Sequence, residues 1–202
     1  MRWLLAVAHA HPEADDRLVA HAAAAGDCAP EVWLAQAEAL GAEGRVDEGL
    51  AALQRARGCG ADPTALALGR GLLLARRDPA RARAELDAVL ADRPDHAGAR
   101  ATRARLWVAS GRADEALSDL AALGDAATLD DLLLRVRLLR DRGRLEEALA
   151  VADAAPAAPA LLAEAIRLEV ALGRPEAALG RLDALPLTPF WLELRATLPE
   201  LP

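Results

Sequence analysis

The chain runs to 202 residues, 53% hydrophobic and 27% charged, with a formal net charge of −7. Such a mix belongs to an ordinary soluble chain that can bury a sizeable core, and it lacks the basic excess on which nonspecific nucleic-acid binding draws. The same sign of charge opposes docking on an acidic membrane surface.

Alanine and leucine, the strongest helix formers, dominate, while the β-branched and aromatic residues that favour strands are scarce, so almost no sheet is expected. Met1 to Ala10 carries one Arg and a short apolar run, Trp3 to Ala8, in front of Ala8-His9-Ala10, which imitates a small-x-small cleavage site. The run is shorter than a signal peptide requires, so residues 1–29 are expected to form an N-terminal cap or partial repeat. No apolar run reaches the roughly 18 residues of a membrane-spanning helix, and a cytoplasmic location is expected. His9, His11 and His21 gather in this cap, but residues two apart on a helix do not face each other and Pro12 follows His11. No metal site is expected there. Cys28 and Cys59 stand one period apart, in turns expected to hold equivalent places in successive units, too far apart for a disulfide. Free thiols are expected.

From there a seven-residue phrase organises the chain: Gly44-Arg45-Val46-Asp47-Glu48-Gly49-Leu50, Gly111 to Leu117, Gly143-Arg144-Leu145-Glu146-Glu147-Ala148-Leu149, and Gly173 to Leu179, with a degenerate copy at Arg76 to Ala82. A period of about 30 to 35 residues marks an array whose units bury their apolar faces only by stacking. Glycine can end a helix in the left-handed conformation, and the acids after it suit the positive end of the next helix. Units are expected at 30–62, 63–94, 95–126, 127–158 and 159–187. In the first, Trp33, Ala37 and Leu40 precede the phrase and Leu50 and Leu53 follow it; in the fourth, Leu129, Leu132, Val136 and Leu139 form the leading stripe. Ala152 to Ala160 serves as a turn between units. Thr188-Pro189 opens a capping helix over 188–202, with Trp191, Leu194 and Leu198 laid on the last unit.

With Trp33 on the first helix, small residues at Ala37 and Ala104, large ones at Leu40, Trp107 and Leu139, the pairs Ala116 with Leu120 and Ala178 with Leu182 on second helices, and Pro63, Pro94, Pro159 and Pro189 near unit ends, the unit resembles the tetratricopeptide repeat family. It departs from that pattern in having no Tyr and in placing Gln36, Arg103 and Arg135 before the small position. The resemblance covers roughly Pro30 to Pro189. It implies an all-α fold, a right-handed superhelix of stacked antiparallel helix pairs with some 12 or 13 helices, forming a single array that holds a partner in a concave groove. Trp107 is then expected to lie buried between units. The absence of Lys beside heavy Ala, Arg, Gly and Pro use resembles the coding bias of a GC-rich bacterial genome.

Catalytic chemistry is nearly absent from the motifs. No nucleotide-binding glycine loop, paired-Cys zinc spacing or nucleophile elbow occurs, and Asp130-Asp131 and Glu146-Glu147 sit where carboxylates stabilise helix starts. His96 stands alone near a helix start, where a solvated side chain is expected. Neither an enzyme nor a cofactor is expected. A non-enzymatic interaction scaffold remains, for a protein or peptide partner, with no nucleic acid, no membrane, and a monomer or weak homodimer. The resemblance places two first-helix positions on the groove: Leu34, Leu66, Ala101, Leu133 and Ala163, and four residues on a row of Arg70, Arg105, Arg137 and Arg167, broken by Glu38. An apolar stripe beside guanidinium groups suits an acidic segment with apolar anchors. Arg137 has Asp141 and Arg167 has Glu164 at helical spacing, whereas Arg70 and Arg105 have no such acid and are the stronger candidates. The family's carboxylate clamp of Lys and Asn has no counterpart here. The alternative is a structural subunit that self-associates through Trp3-Leu4-Leu5 or Phe190-Trp191-Leu192.

Overall fold

The repeated phrase ends one helix and begins the next with the same bonds each time. In a computed structural model that describes residues 28–154, 158–186 and 188–197, Gly44, Gly111, Gly143 and Gly173 all take φ between 71° and 77°. The following N–H then reaches back to a carbonyl one turn inside the finished helix, Arg45 to Leu40 at 2.8 Å, Arg112 to Trp107 and Arg144 to Leu139 at 2.9 Å, and Arg174 to Glu169 at 2.8 Å. These bonds satisfy helix-end carbonyls that would otherwise be orphaned. The degenerate copy has no glycine. There the Asp78 carboxylate accepts from the Arg81 N–H at 3.0 Å and Pro79 occupies the first turn, so the next helix starts by capping.

Among the described residues the helices are α1 (Pro30–Ala42), α2 (Val46–Gly58), α3 (Pro63–Leu74), α4 (Pro79–Asp92), α5 (Ala97–Ala109), α6 (Ala113–Ala121), α7 (Leu129–Asp141), α8 (Leu145–Asp153), α9 (Pro159–Ala171), α10 (Pro175–Asp183) and α11 (Pro189–Thr197), with a 3-10 turn at Gly124–Ala126. None of the described residues forms a strand. Within each unit the short turns fold α2 back on α1, α4 on α3, α8 on α7 and α10 on α9 as antiparallel pairs. The expectations for Trp3-Leu4-Leu5, His9, His11, His21 and Leu198 lie outside the described residues.

The helices fall into two compact units, divided within α5 between Leu106 and Trp107. In the first unit α3 is a wall shared by two clusters. Ala37, Leu40, Leu53 and Ala56 of the α1–α2 pair pack on one side with its Leu66 and Leu73, and Leu86, Val89 and Leu90 of α4 pack with its Leu74 on the other. Close approach is made possible by glycine: a Cβ at Gly49 would stand 2.7 Å from Leu73 Cδ2, and one at Gly71 would stand 2.9 Å from Leu86. In the second unit, Trp191 and Leu194 of α11 join Ile166 of α9 and Leu182 of α10 in one cluster. Each fully buried aliphatic side chain in these clusters contributes about 1.5–3 kcal/mol.

Two expectations are corrected here. Cys28 and Cys59 form a disulfide with Cα atoms 5.1 Å apart. They do not occupy equivalent places two helices apart; Cys28 lies just ahead of α1 and Cys59 caps the end of α2, and an antiparallel pair brings its own start and finish together. Trp107 is only half-buried, with the Arg112 guanidinium 4.2 Å from its ring centroid, so a cation covers the face that packing between units was expected to cover.

Candidate functional site

The expected groove residues divide between the two units, and each unit treats its arginines differently. Arg70, on α3, donates through Nη2 to Glu85 Oε2 of α4 at 2.8 Å, in a half-buried pair. The pair sits in a cavity of about 520 Å³ whose rim also carries Asp62, Thr64 and Asp92. Those groups are engaged too: Arg93 donates to Asp62 at 2.9 Å, and the Thr64 hydroxyl donates to Asp92 at 3.1 Å. Arg105 is exposed and also has an interaction within the protein. The two arginines that helical spacing favoured are therefore both occupied. For Arg70 the partner is 15 residues away, on the other helix of its pair, beyond what spacing within one helix can reveal.

In the second unit Arg137 of α7 is exposed and has no hydrogen bond or ion pair among the described residues. The Asp141 expected to pair with it lies instead 3.8 Å from Arg140 Nε. Arg167 of α9 donates to Glu164 Oε1 at 2.9 Å, the partner its spacing indicated, and Arg140 of α7 donates to the other oxygen of Glu164 at 2.7 Å. Along the expected apolar stripe, Leu66 is 4% exposed and Ala163 is buried, so both belong to the core and offer a ligand no surface. Leu34, Ala101 and Leu133 are half-buried.

Among the described residues an ordered arrangement of charge lies along the turns. Arg45 forks onto Glu48 (2.8 and 2.6 Å), Arg144 onto Glu147 (2.7 and 2.6 Å), and Arg112 onto Glu115. These donated hydrogen bonds hold the Glu48, Glu115 and Glu147 carboxyls below the usual range. In these three phrases the preceding acid is taken by an arginine one period on: Asp47 by Arg77, Asp114 by Arg142 at 2.8 Å, and Glu146 by Arg174. These pairs lie at the surface, where solvent screens them and each contributes little by itself. The sequence carried the signal, two acids and an Arg repeated in register, but a helix-dipole role already accounted for the acids.

Other polar groups are structural. Thr128 and Asp131 form a reciprocal cap at the start of α7, with the Thr128 hydroxyl 2.7 Å from Asp131 Oδ2. His96 was expected to be solvated; it is half-buried, and its Nδ1 accepts from the Ala99 N–H at 3.2 Å at the start of α5. Among the described residues no group of His, Cys, Asp and Glu could hold a metal ion, and no helix is long and apolar enough to cross a membrane.

Solved structures share this arrangement of helix pairs. The chain is similar to the ArsTM double mutant of MamA RS-1 (20% identity, 85% of this chain and 97% of that one, TM-score 0.62) and to YrrB, described as a TPR protein with an unusual peptide-binding site (15%, 89% and 93%, 0.60). It is also similar to TTC0263, a thermophilic TPR protein of Thermus thermophilus (22%, 83% and 96%, 0.54). The tetratricopeptide repeat family model matches residues 73–138. Over that segment the chain carries tetratricopeptide repeats. The matched tetratricopeptide segment runs from the end of α3 into α7, so it includes both the degenerate Arg76 to Ala82 copy and the Gly111 phrase. No curated protein matches the sequence. The tetratricopeptide repeat fold is in general a scaffold for protein–protein interaction.

Proposed function

We propose that the protein is a non-enzymatic scaffold that binds an acidic peptide or protein segment with apolar anchors, and that the α7–α9 face of the second unit is where the acidic residues bind. The observation that supports this most is the unengaged Arg137. Around it, Arg140 and Arg167 share Glu164, with Asp141 near Arg140, so three guanidiniums meet two carboxylates. A surplus cation remains, and the half-buried Leu133 lies one helical turn before it. The Arg70 cavity is a weaker candidate for this ligand, because its carboxylates outnumber its guanidinium.

The test is fluorescence anisotropy with a labelled peptide alternating Glu and Leu and its charge-reversed Arg and Leu counterpart. The acidic peptide is expected to bind at least about tenfold more tightly, and Arg137→Glu to erase that preference while helicity is retained. Equal affinity for the two peptides overturns the assignment. Self-association is a second reading, favoured by Phe190 and Leu192, 48% and 49% exposed on α11. Under it, the sedimentation coefficient rises with protein concentration in the absence of peptide. In a cytoplasmic location, part of the same proposal, cytosolic thiol pools would hold Cys28 and Cys59 mostly as thiols.

A further inference from the structure

We infer that the Cys28–Cys59 bond is a thiol–disulfide exchange site for a dithiol oxidoreductase, and that its redox state sets how firmly the α1–α2 pair stays closed. The bond joins the start of α1 to the end of α2, while the turn at Gly44 joins their other ends. The pair is thus a closed covalent ring. Cutting the bond leaves the Gly44 turn and side-chain contacts to hold the two helices: Leu40 and Leu53 with Trp33, Leu34, Val46 and Leu50 against them, and the Arg55 guanidinium over the Trp33 ring. The buried residues of α1 are Ala37 and Leu40, and those of α2 are Gly49, Ala52, Leu53 and Ala56, only two of them leucines. The α3–α4 pair buries Leu66, Leu73, Leu74, Leu86 and Leu90 together with Val89. Gln36 adds a cost on α1, where its buried Oε1 has no hydrogen-bond partner. A cross-link at the open end of the pair therefore restricts its opened states beyond what these contacts and the turn do.

Access and chemistry agree with this role. Cys28 is exposed and Cys59 half-exposed, so a protein thiol can reach the bond. One thiolate of the reductant attacks one sulfur, a mixed disulfide forms, and the other cysteine leaves as a thiolate. The second thiol of the reductant then displaces the remaining cysteine and closes the reductant's own disulfide. Two electrons and two protons pass to Cys28 and Cys59, and the reverse exchange restores the bond. Opening the pair uncovers Leu66 and Leu73 on α3, which now share a cluster with Leu40 and Leu53.

The experiment is hydrogen exchange read by mass spectrometry on the full chain, oxidised or in excess dithiothreitol, with alkylation reporting thiol state. In the untreated protein both cysteines resist alkylation. On reduction, α1 and α2 amides are expected to exchange about tenfold faster or more, α7 to α10 amides to stay unchanged, and oxidised glutathione to restore slow exchange. The Cys28→Ser, Cys59→Ser double variant should exchange rapidly with or without dithiothreitol. Equal α1–α2 exchange in the oxidised and reduced wild-type protein, or alkylation of both cysteines before treatment, overturns the inference.

Discussion

Glu169 is 5% exposed on α9; its Oε1 accepts from Arg181 Nε at 2.8 Å, and its Oε2 has no hydrogen-bond partner. Arg181, on α10, is also held by Asp153 at 2.8 Å, and hydrogen bonding to Asp153 and then Glu169 raises its already high pKa. Removing the guanidinium leaves Glu169 buried without its counter-charge, whereas removing Glu169 leaves Arg181 with a partner and access to water. Arg181→Ala is therefore expected to cost about 3–5 kcal/mol and Glu169→Ala distinctly less, with the double variant recovering part of the loss. Urea unfolding of the three variants checks the order, and costs that simply add in the double variant would show that the pair is not electrostatically coupled. No pattern in the sequence singles out this contact, since an Arg and a Glu 12 residues apart meet only after two helices fold back on each other.

At the scale of the helix and its turn, the phrases at Gly44, Gly111 and Gly143 each combine a glycine stop, an arginine fork and an acid bound one period on. The glycine stop was legible in the sequence because the left-handed requirement is local. The fork onto Glu48, Glu115 and Glu147 was legible in composition but not in purpose, and Asp47 with Arg77 could be paired only by superimposing successive units. The Cys28–Cys59 pairing was missed for a related reason: equal spacing was taken as equivalent position, when one cysteine opens a helix pair and the other closes it. The forks have a pH signature. The arginine hydrogen bonds lower the folded pKa of Glu48, Glu115 and Glu147, so their contribution is fully present above the unfolded Glu value of about 4.3 and is lost as pH falls through the folded values. Thermal midpoints recorded from pH 7 down to pH 3 should fall, and a Glu48→Gln, Glu115→Gln, Glu147→Gln variant should fall less over the acid limb. An identical acid loss in the variant would mean that other carboxylates carry it.

Over the whole molecule, stability is organised by neighbours. The clusters around Leu53 and Leu86 belong to the unit ending at Leu106, and the one around Ile166 and Trp191 belongs to the other. Ile166 is fully buried, and Ile166→Ala is expected to cost about 2–5 kcal/mol. In a nearest-neighbour array that loss should appear as faster amide exchange in α9, α10 and α11, with α1 and α2 unaffected. Uniform acceleration in all helices would mark a single cooperative block. At this scale the sequence was most informative, because a period of paired helices survives poor matches at individual positions. The surface was less legible: Leu66 obeys the same spacing as Leu133, yet one is core and the other half-buried, a difference decided by what α1 and α2 lay over it.

Where Gly111, Gly143 and Gly173 are each followed five residues later by alanine, the phrase at Gly44 has Gly49, because the Leu73 side chain occupies the space a methyl would need. That substitution records the identity of a neighbour. The units are consequently not interchangeable parts. A copy of the Gly143 phrase grafted at Gly44 would bring an alanine methyl into Leu73, and an array rearranged by duplication or shuffling would have to refit such contacts before it could pack. The order of the units along the chain is thus written into their shapes, one side chain at a time.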